Sequence, residues 1–273
     1  MGRRRVPFWK GLFVPGEFGW TFRMRPGDAE SFFAPQDESG RLLAEKRKWL
    51  DADGGLYTAV TPPGEPLVAA LWDLAREWGH VSRPEDGSRS LLELARRWEP
   101  DILLVDAETV TVAAGCVCFP SSWSLQSAAG KRVHEVHGLV PRLNAQIGGK
   151  IDRFLSRLQP GKAYRRENWG VTRSPERNYH PDLGRPRLDA TVTLGELFLR
   201  VEQQVFTSLP GGVLMGIRIE TCPLADLAAD PEAWNAFAEK VRTMPDDVAV
   251  YKGMLSAQDA IVREMEKFAP LRG

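Results

Sequence analysis

The chain has little cysteine, no net charge and no long apolar run, and each absence removes a class of function. Three cysteines in 273 residues cannot complete a disulfide framework, and no Cys-x-x-Cys occurs. That points to a reducing compartment and away from a zinc ribbon. Lys+Arg and Asp+Glu both number 36, so no broad basic surface for nucleic acid is expected. No apolar stretch approaches about 18 residues, so no membrane-spanning helix is expected. The opening MGRRRVPFWKGLFVPGEFGW starts basic, but prolines and charges interrupt its apolar residues. No secretory signal is read there, and a cytoplasmic location is expected. Also missing are a phosphate loop, a Gly-x-Ser-x-Gly elbow, a His-Glu-x-x-His pair, a dinucleotide fingerprint and an iron–sulfur cysteine run. Gly148-Gly149 lies inside a helical pattern and is no phosphate loop. If electrons are used, another protein must deliver them.

What is present is a globular composition, 43% hydrophobic and 26% charged, with nine tryptophans and twenty prolines. Residues 1–40 read as an arm whose rings, Phe8, Trp9, Phe13, Phe18, Trp20 and Phe22, need a surface to cover. A short helix is expected over Leu42–Leu50, ending near Asp51-Ala-Asp-Gly-Gly. A second begins near Pro66 and a third at Ser90, with Pro100 ending it. The period then changes. DILLVD (101–106) and TVTVAAGCVCF (109–119) read as a hairpin. Residues 121–142 are helical or looped, and Leu143, Ile147, Ile151, Phe154, Leu155 and Leu158 mark one amphipathic helix. Strands over about 163–172, 196–207 and 212–222 come next, the last two joined at Leu209-Pro-Gly-Gly212. The stretch 173–195 reads as a long exposed loop, and helices cover about 230–270. Two strands, a helical middle and three strands predict an α+β fold: a PAS-like antiparallel five-stranded sheet with flanking helices. A single domain over 1–273 is expected, its core at about 100–223. Such a layout fixes no function by itself.

Several side chains could carry chemistry. His134 and His137, at i and i+3, share roughly one helix face, and neutral imidazole is the usual nitrogen ligand of haem iron. The same pair also reads as two partly exposed histidines on a basic helix. Zinc would need further ligands, such as Cys116 and Cys118, which read more simply as small core residues. On the strand ELFLRVEQQVFT, alternation puts Arg200, Glu202 and Gln204 on one face, either solvated or in an ion-pair network. Gln203 interrupts the otherwise apolar opposite face and needs partners, a ligand among the candidates. Arg218 could pair with Glu202 or Glu220, or meet a haem propionate. Tyr164, Arg166, Asn168 and Trp169 carry the same ambiguity.

Six separated motifs carry a family resemblance: Cys118-Phe-Pro-Ser-Ser-Trp123, Val136-His-Gly-Leu-Val-Pro141, Arg166-Glu-Asn-Trp169, Leu199-Arg-Val-Glu-Gln-Gln204, Leu209-Pro210 and Ile217-Arg-Ile219. With Trp49-Leu-Asp-Ala-Asp53 and Leu56-Tyr57, they span roughly 20–255 in order. The chain resembles the haem-dependent oxidative N-demethylase α-subunit family. The resemblance implies a haem b cofactor, and oxidative removal of a methyl group from a small secondary amine such as dimethylamine by O₂, releasing formaldehyde. It implies an NADPH-dependent reductase subunit carrying the flavin and iron–sulfur centre. By motif position, His137 falls on the family's axial ligand. Arg166, Trp169 and Arg200 are then expected beside the cofactor, and Glu202, Gln203, Gln204 and Arg218 in catalysis. The family pattern Val-Glu-Arg-Gln becomes Val201-Glu-Gln-Gln204, so Gln203 replaces an arginine; His137-Gly-Leu-Val-Pro141 and Arg166-Glu-Asn-Trp169 also depart by one residue each. The alternative is a haem PAS gas sensor or haem-binding protein without demethylase activity.

Overall fold

The computed structural model describes residues 7–82 and 89–268. The first six residues of the expected arm and the last two of the expected C-terminal helical region lie outside them. The strands are β1 (Arg25–Pro26), β2 (Thr58–Val60), β3 (Asp101–Asp106), β4 (Thr111–Cys116), β5 (Ala163–Thr172), β6 (Phe198–Leu209) and β7 (Gly212–Pro223). They form one antiparallel sheet of seven strands in the order β1-β5-β6-β7-β3-β4-β2. The five-stranded expectation is therefore corrected to seven strands among the described residues. The additional edge strands, β1 and β2, are two and three residues long, too short to display a period of two.

Local chemistry accounts for the hairpins. Leu209 pairs with Gly212 across the Pro210-Gly211 turn, and Gly211 adopts φ 78°, a backbone region that L side chains avoid and two-residue hairpins need. Between β3 and β4, Asp106 Oδ1 accepts the Thr109 backbone N–H at 2.7 Å, and the partners shift register between Leu104 and Val105.

The helices are α1 (Ala29–Phe33), α2 (Arg41–Tyr57), α3 (Glu65–Glu77), α4 (Leu91–Ala95), α5 (Leu125–Ala128), α6 (Val133–His137), α7 (Gly149–Ser156), α8 (Pro231–Arg242), α9 (Asp246–Tyr251) and α10 (Gln258–Lys267). Helix α2 outruns the expected Leu42–Leu50 because Asp53, at φ −159° and ψ 86°, breaks the helix without ending it. Its Oδ1 accepts the Leu56 N–H at 3.0 Å and restarts the next turn. The expected helix over 143–158 begins as a π-helical turn, Asn144–Gly148, before α7. Both Gly148 and Gly149 fall at that transition, and a Cβ on Gly148 would meet Asn144 Oδ1 at 3.1 Å.

The core falls into two apolar clusters. One apolar cluster joins β3, β4 and β7 to α3, α4 and the 133–155 helices. A second joins Val171, Leu199 and Val201 to α8, α9 and α10, with Trp9 and Phe13 buried among them. The arm is docked as expected. Gly16 N–H binds Glu239 at 2.9 Å, Phe18 N–H binds Thr243 at 2.9 Å, and Trp20 Nε1 reaches the Pro141 carbonyl at 2.8 Å. One face of β6–β7, here the rear face, is closed by α1 and α3. A Cβ on Gly216 would sit 2.6 Å from Phe33 Cζ, and one on Gly212 would sit 2.7 Å from Leu67.

Candidate functional site

The opposite, front face of the same strands borders a cavity of about 1190 Å³, just above the roughly 300–1,000 Å³ usual for ligand pockets. Alternation chooses its floor: Arg166 and Asn168 from β5, Glu202, Gln204 and Phe206 from β6, Met215 and Ile217 from β7. Cross-strand register sets Arg166 opposite Gln204, Asn168 opposite Glu202, and Gln204 opposite Ile217. The polar row expected to be solvated or ion-paired thus faces the cavity. The roof comes from Val133, Val136, His137, Val140 and Leu143, with Ile151, Phe154 and Leu155 behind. Trp20 and Phe22 of the arm and Lys252, just after α9, complete it.

The structure separates the two histidines. His134 is exposed, with Nδ1 3.7 Å from Asp152. His137, in the last turn of α6, lines the cavity. Burial holds His137 down at about 4, and the nearby Arg166 guanidinium reinforces that. Its imidazole is therefore neutral at pH 7, the state in which a ring nitrogen has a lone pair to give. Helix α6 is positioned by Glu135, which accepts the Arg132 N–H at 2.7 Å. Asn144 Nδ2 donates to the His134 carbonyl at 2.8 Å and ties α6 to the π-helical turn.

The cations of the sheet divide sharply. Arg200, expected beside a cofactor, is consumed by the protein itself. It donates to Ser121 Oγ at 2.9 Å, to the Phe119 carbonyl at 2.9 Å and to the Pro120 carbonyl at 3.3 Å. Burial lowers it to about 10. Its work is to pin the Phe119–Ser121 turn, which Asp101 holds from the other side by accepting the Phe119 N–H at 2.8 Å. Asp101 in turn faces Lys46 at 3.3 Å with both side chains fully buried. Neither Asp101 nor Lys46 carries a motif that sequence reasoning could use.

Arg218 pairs with Glu99, correcting the expected Glu202 or Glu220, and donates to the Phe32 carbonyl at 2.9 Å. It lies on the rear face, directly across from Gln203, and neither residue lines the cavity. Trp169 borders the cavity, but its ring belongs to the second cluster, 5.4 Å from Phe13 and 5.2 Å from Phe237. Of the expected site residues, His137, Arg166, Glu202 and Gln204 converge on one space; Gln203 and Arg218 do not.

Glu202 accepts from Ser121 Oγ, and from Gln204 Nε2 at 3.2 Å. Arg166 makes no side-chain hydrogen bond or ion pair among the described residues, and burial lowers its pKa against the pull of Glu202. Lys252 escapes a reading of the sequence. Its Nζ donates to the Trp169 carbonyl at 2.6 Å and lies over the Trp20 and Trp169 rings at 5.2 and 5.1 Å. Burial, deepened by Arg166 and opposed by Glu202, lowers it to about 8. The only cue in sequence is a lysine in the helical region that the cavity needs as a wall.

The expected exposed loop is partly buried: Asn178, Tyr179 and His180 are enclosed. His180 Nδ1 accepts the Asp182 N–H at 3.3 Å, while its Nε2 has no hydrogen-bond partner among the described residues. Cys116 and Cys118 are free thiols in the core. Among the described residues no three His, Cys, Asp or Glu side chains gather as a metal-ligand set, and no helix is long and apolar enough to cross a membrane.

A haem makes three demands that these residues can be tested against: a broad apolar slot, a neutral imidazole for the iron, and cations for the acidic side groups. The cavity has an apolar roof, with Phe206, Met215 and Ile217 in its floor, one imidazole held neutral, and Lys131 and Arg187 in its lining with no ion pair among the described residues. The residues fit the group. A single histidine suffices for it, so the absence of a clustered ligand set does not bear on it. The same assignment comes from the sequence as a whole, because residues 72–262 match the family described as haem-dependent oxidative N-demethylase, alpha subunit-like, and the chain belongs to that family.

Proposed function

We propose that this chain is the oxygenase subunit of a haem-dependent oxidative N-demethylase acting on a small secondary amine. The observation that carries the reading is His137, a neutral imidazole on the wall of an apolar cavity whose opposite wall is polar. The core is PAS-like over about 100–223, within one domain that includes the arm and the C-terminal helices. Its support is the antiparallel order β4-β3-β7-β6-β5 and the helical segment between β4 and β5 that supplies the histidine.

In the proposed reaction, RNH–CH₃, O₂, two electrons and two protons yield RNH₂, CH₂O and H₂O. Haem b, when bound, supplies the iron that activates O₂. His137 would hold that iron through a ring nitrogen. Glu202, held in place by its Ser121 and Gln204 donors, orients the cationic amine; one carboxylate near one ammonium is a strong attraction in a low-dielectric cavity. Gln204 fixes the carboxylate's rotamer, and Arg200 holds Ser121 in place to bond it. The apolar roof excludes water. Trp20, whose Nε1 is anchored to Pro141, keeps the arm over the roof.

Electrons come from a separate NADPH-dependent reductase with flavin and an iron–sulfur centre, in keeping with the alpha-subunit-like description of the family. The test is the visible spectrum of haem-supplemented protein, and then formaldehyde measured with NADPH, reductase and a panel of secondary amines. A Soret band lost or shifted in His137→Ala is expected, with formaldehyde formed by the parent protein. An unchanged band in His137→Ala would sink the ligand assignment. A normal band with reversible O₂ or CO binding and no product from any amine would favour a gas sensor.

A further inference from the structure

The inner cavity holds more positive charge than the proposed reaction uses. Arg166 and Lys252 both line it, and Glu202 is the carboxylate that lies near both. That carboxylate is already engaged by Ser121 and Gln204. Arg166 has no hydrogen-bonding partner among the described residues, and Lys252 uses one of its three N–H donors on Trp169. A half-buried guanidinium facing a mostly apolar enclosure without an acceptor is costly unless something supplies one. A simple amine would not: dimethylamine carries positive charge and no acceptor, and with Lys131 and Arg187 in the lining to meet the haem's acidic groups, Arg166 and Lys252 would both stay unmatched.

We propose that the substrate of this subunit carries a carboxylate beside its methylated nitrogen, an N-methyl α-amino acid of which N-methylglycine is the smallest. This rests on the demethylase reading above and narrows its substrate. The register supports the spacing. Arg166 faces Gln204 and Asn168 faces Glu202, so Arg166 and Glu202 are diagonal neighbours on one sheet face, about 7–8 Å apart at the backbone. The nitrogen and carboxylate of an α-amino acid are separated by one carbon, so a zwitterion can meet Glu202 with its ammonium and Arg166 with its carboxylate. Arg166 offers the planar fork that matches a carboxylate, and Lys252 adds a point charge from the third wall. The two ends of the ligand then satisfy groups that a monofunctional amine leaves unpaired, and specificity arises from the unpaired cations left by the wrong ligand. The chemistry is unchanged: the N–CH₃ carbon takes one oxygen atom of O₂, the other leaves as water with the reductase's two electrons, and the N–C bond breaks to release formaldehyde and the primary amino acid.

The test uses haem-loaded protein titrated with N-methylglycine, its neutral isostere N-methylglycinamide, and dimethylamine, read by calorimetry and by the change in haem absorbance. N-methylglycine is expected to bind roughly ten- to a hundredfold tighter than either of the others, the range for one charge-assisted pair. Arg166→Gln and Lys252→Met are each expected to remove most of that advantage while leaving the Soret band and haem retention intact; Lys252→Arg is expected to restore part of it. Equal affinities for the acid and its amide in the unmodified protein would overturn the proposal whatever the variants do. Loss of haem retention, with substrate preference unchanged, would overturn it too by assigning the pair to the propionates. If no haem binds the unmodified protein, the demethylase reading itself has failed, and that outcome is distinct from both.

Discussion

The two faces of β6 and β7 are made from alternate residues of the same strands, yet they solve opposite problems. On the rear face, Gly216 lies under Phe33, Gly212 lies under Leu67, and the buried Arg218 is matched by Glu99. Glu99 also accepts backbone N–H groups of Gln36 at 3.2 Å and Asp37 at 3.0 Å, so the pair fastens the link between α1 and α2. On the front face, Arg166 has no partner among the described residues, Glu202 is held by neutral donors, and the space above them is open. An arginine matched inside the protein is architecture, and one left unmatched over a cavity is a place for a ligand. Sequence position does not distinguish them, since both stand within long strands of one sheet.

The largest test of that contrast is a pair of single substitutions. Glu99→Ala strands a buried guanidinium and is expected to lose about 3–5 kcal/mol in urea unfolding. Arg166→Met removes a cation with no partner among the described residues and is expected to change stability by under about 1 kcal/mol, or to raise it. Comparable losses would mean that Arg166 has a structural partner after all.

Packing provides the second test. Gly216→Ala drives a Cβ to within 2.6 Å of Phe33 and is expected to cost about 1–3 kcal/mol, seen as a lower Tm. At Gly170, on the front face, a Cβ meets nothing within 4 Å, and Gly170→Ala is expected to stay within about 0.5 kcal/mol. Equal Tm shifts would contradict the closed-versus-open distinction.

The third test is pH. Lys252 stands at about 8 against an ordinary 10.5 because burial disfavours its charge. Between those values the free folded protein binds fewer protons than the unfolded chain. Stability therefore rises with pH across that window, and the penalty is complete below about 8. The groups that face Lys252 are Glu202 and Arg166, with the Trp20 and Trp169 rings against it. Affinity for N-methylglycine is expected to fall by up to about tenfold from pH 7 to pH 9 as the ammonium is lost. The same titration in Lys252→Met should be flat, and a parallel fall there would assign the effect elsewhere.

The smallest expected effect is at Gln203. Gln203→Arg restores the family's residue, but on the rear face across from Arg218, where like charges disfavour each other by about 0.2–1 kcal/mol. Formaldehyde production is expected to change less than about twofold. A larger gain would show that the rear face reaches the reaction.

Periodicity locates the long strands and most helices because burial on one side leaves a repeat that can be read along the chain. The turn at Pro210-Gly211, the N-cap at Ser90 and the docking of the arm's rings come from local chemistry of the same kind. The motif around His137 carries the family, and alternation correctly separates Glu202 and Gln204 from Gln203. The short edge strands and the restart of α2 at Asp53 leave no repeat to read, and neither does the burial of Asn178–His180. Arg218 eludes a sequence assignment for a different reason: its partner Glu99 lies far away in sequence, and opposite charges recognise each other through space. Lys252 is invisible on the same ground.

What the sequence by itself determined is therefore the set of elements, the histidine and the polar row, all products of local pattern or motif. Only the tertiary structure decided which cations are spent internally and which face the cavity. That choice depends on the geometry of charges brought together from Phe32 to Lys252, and a free guanidinium differs from a paired one by its neighbours, not by its name.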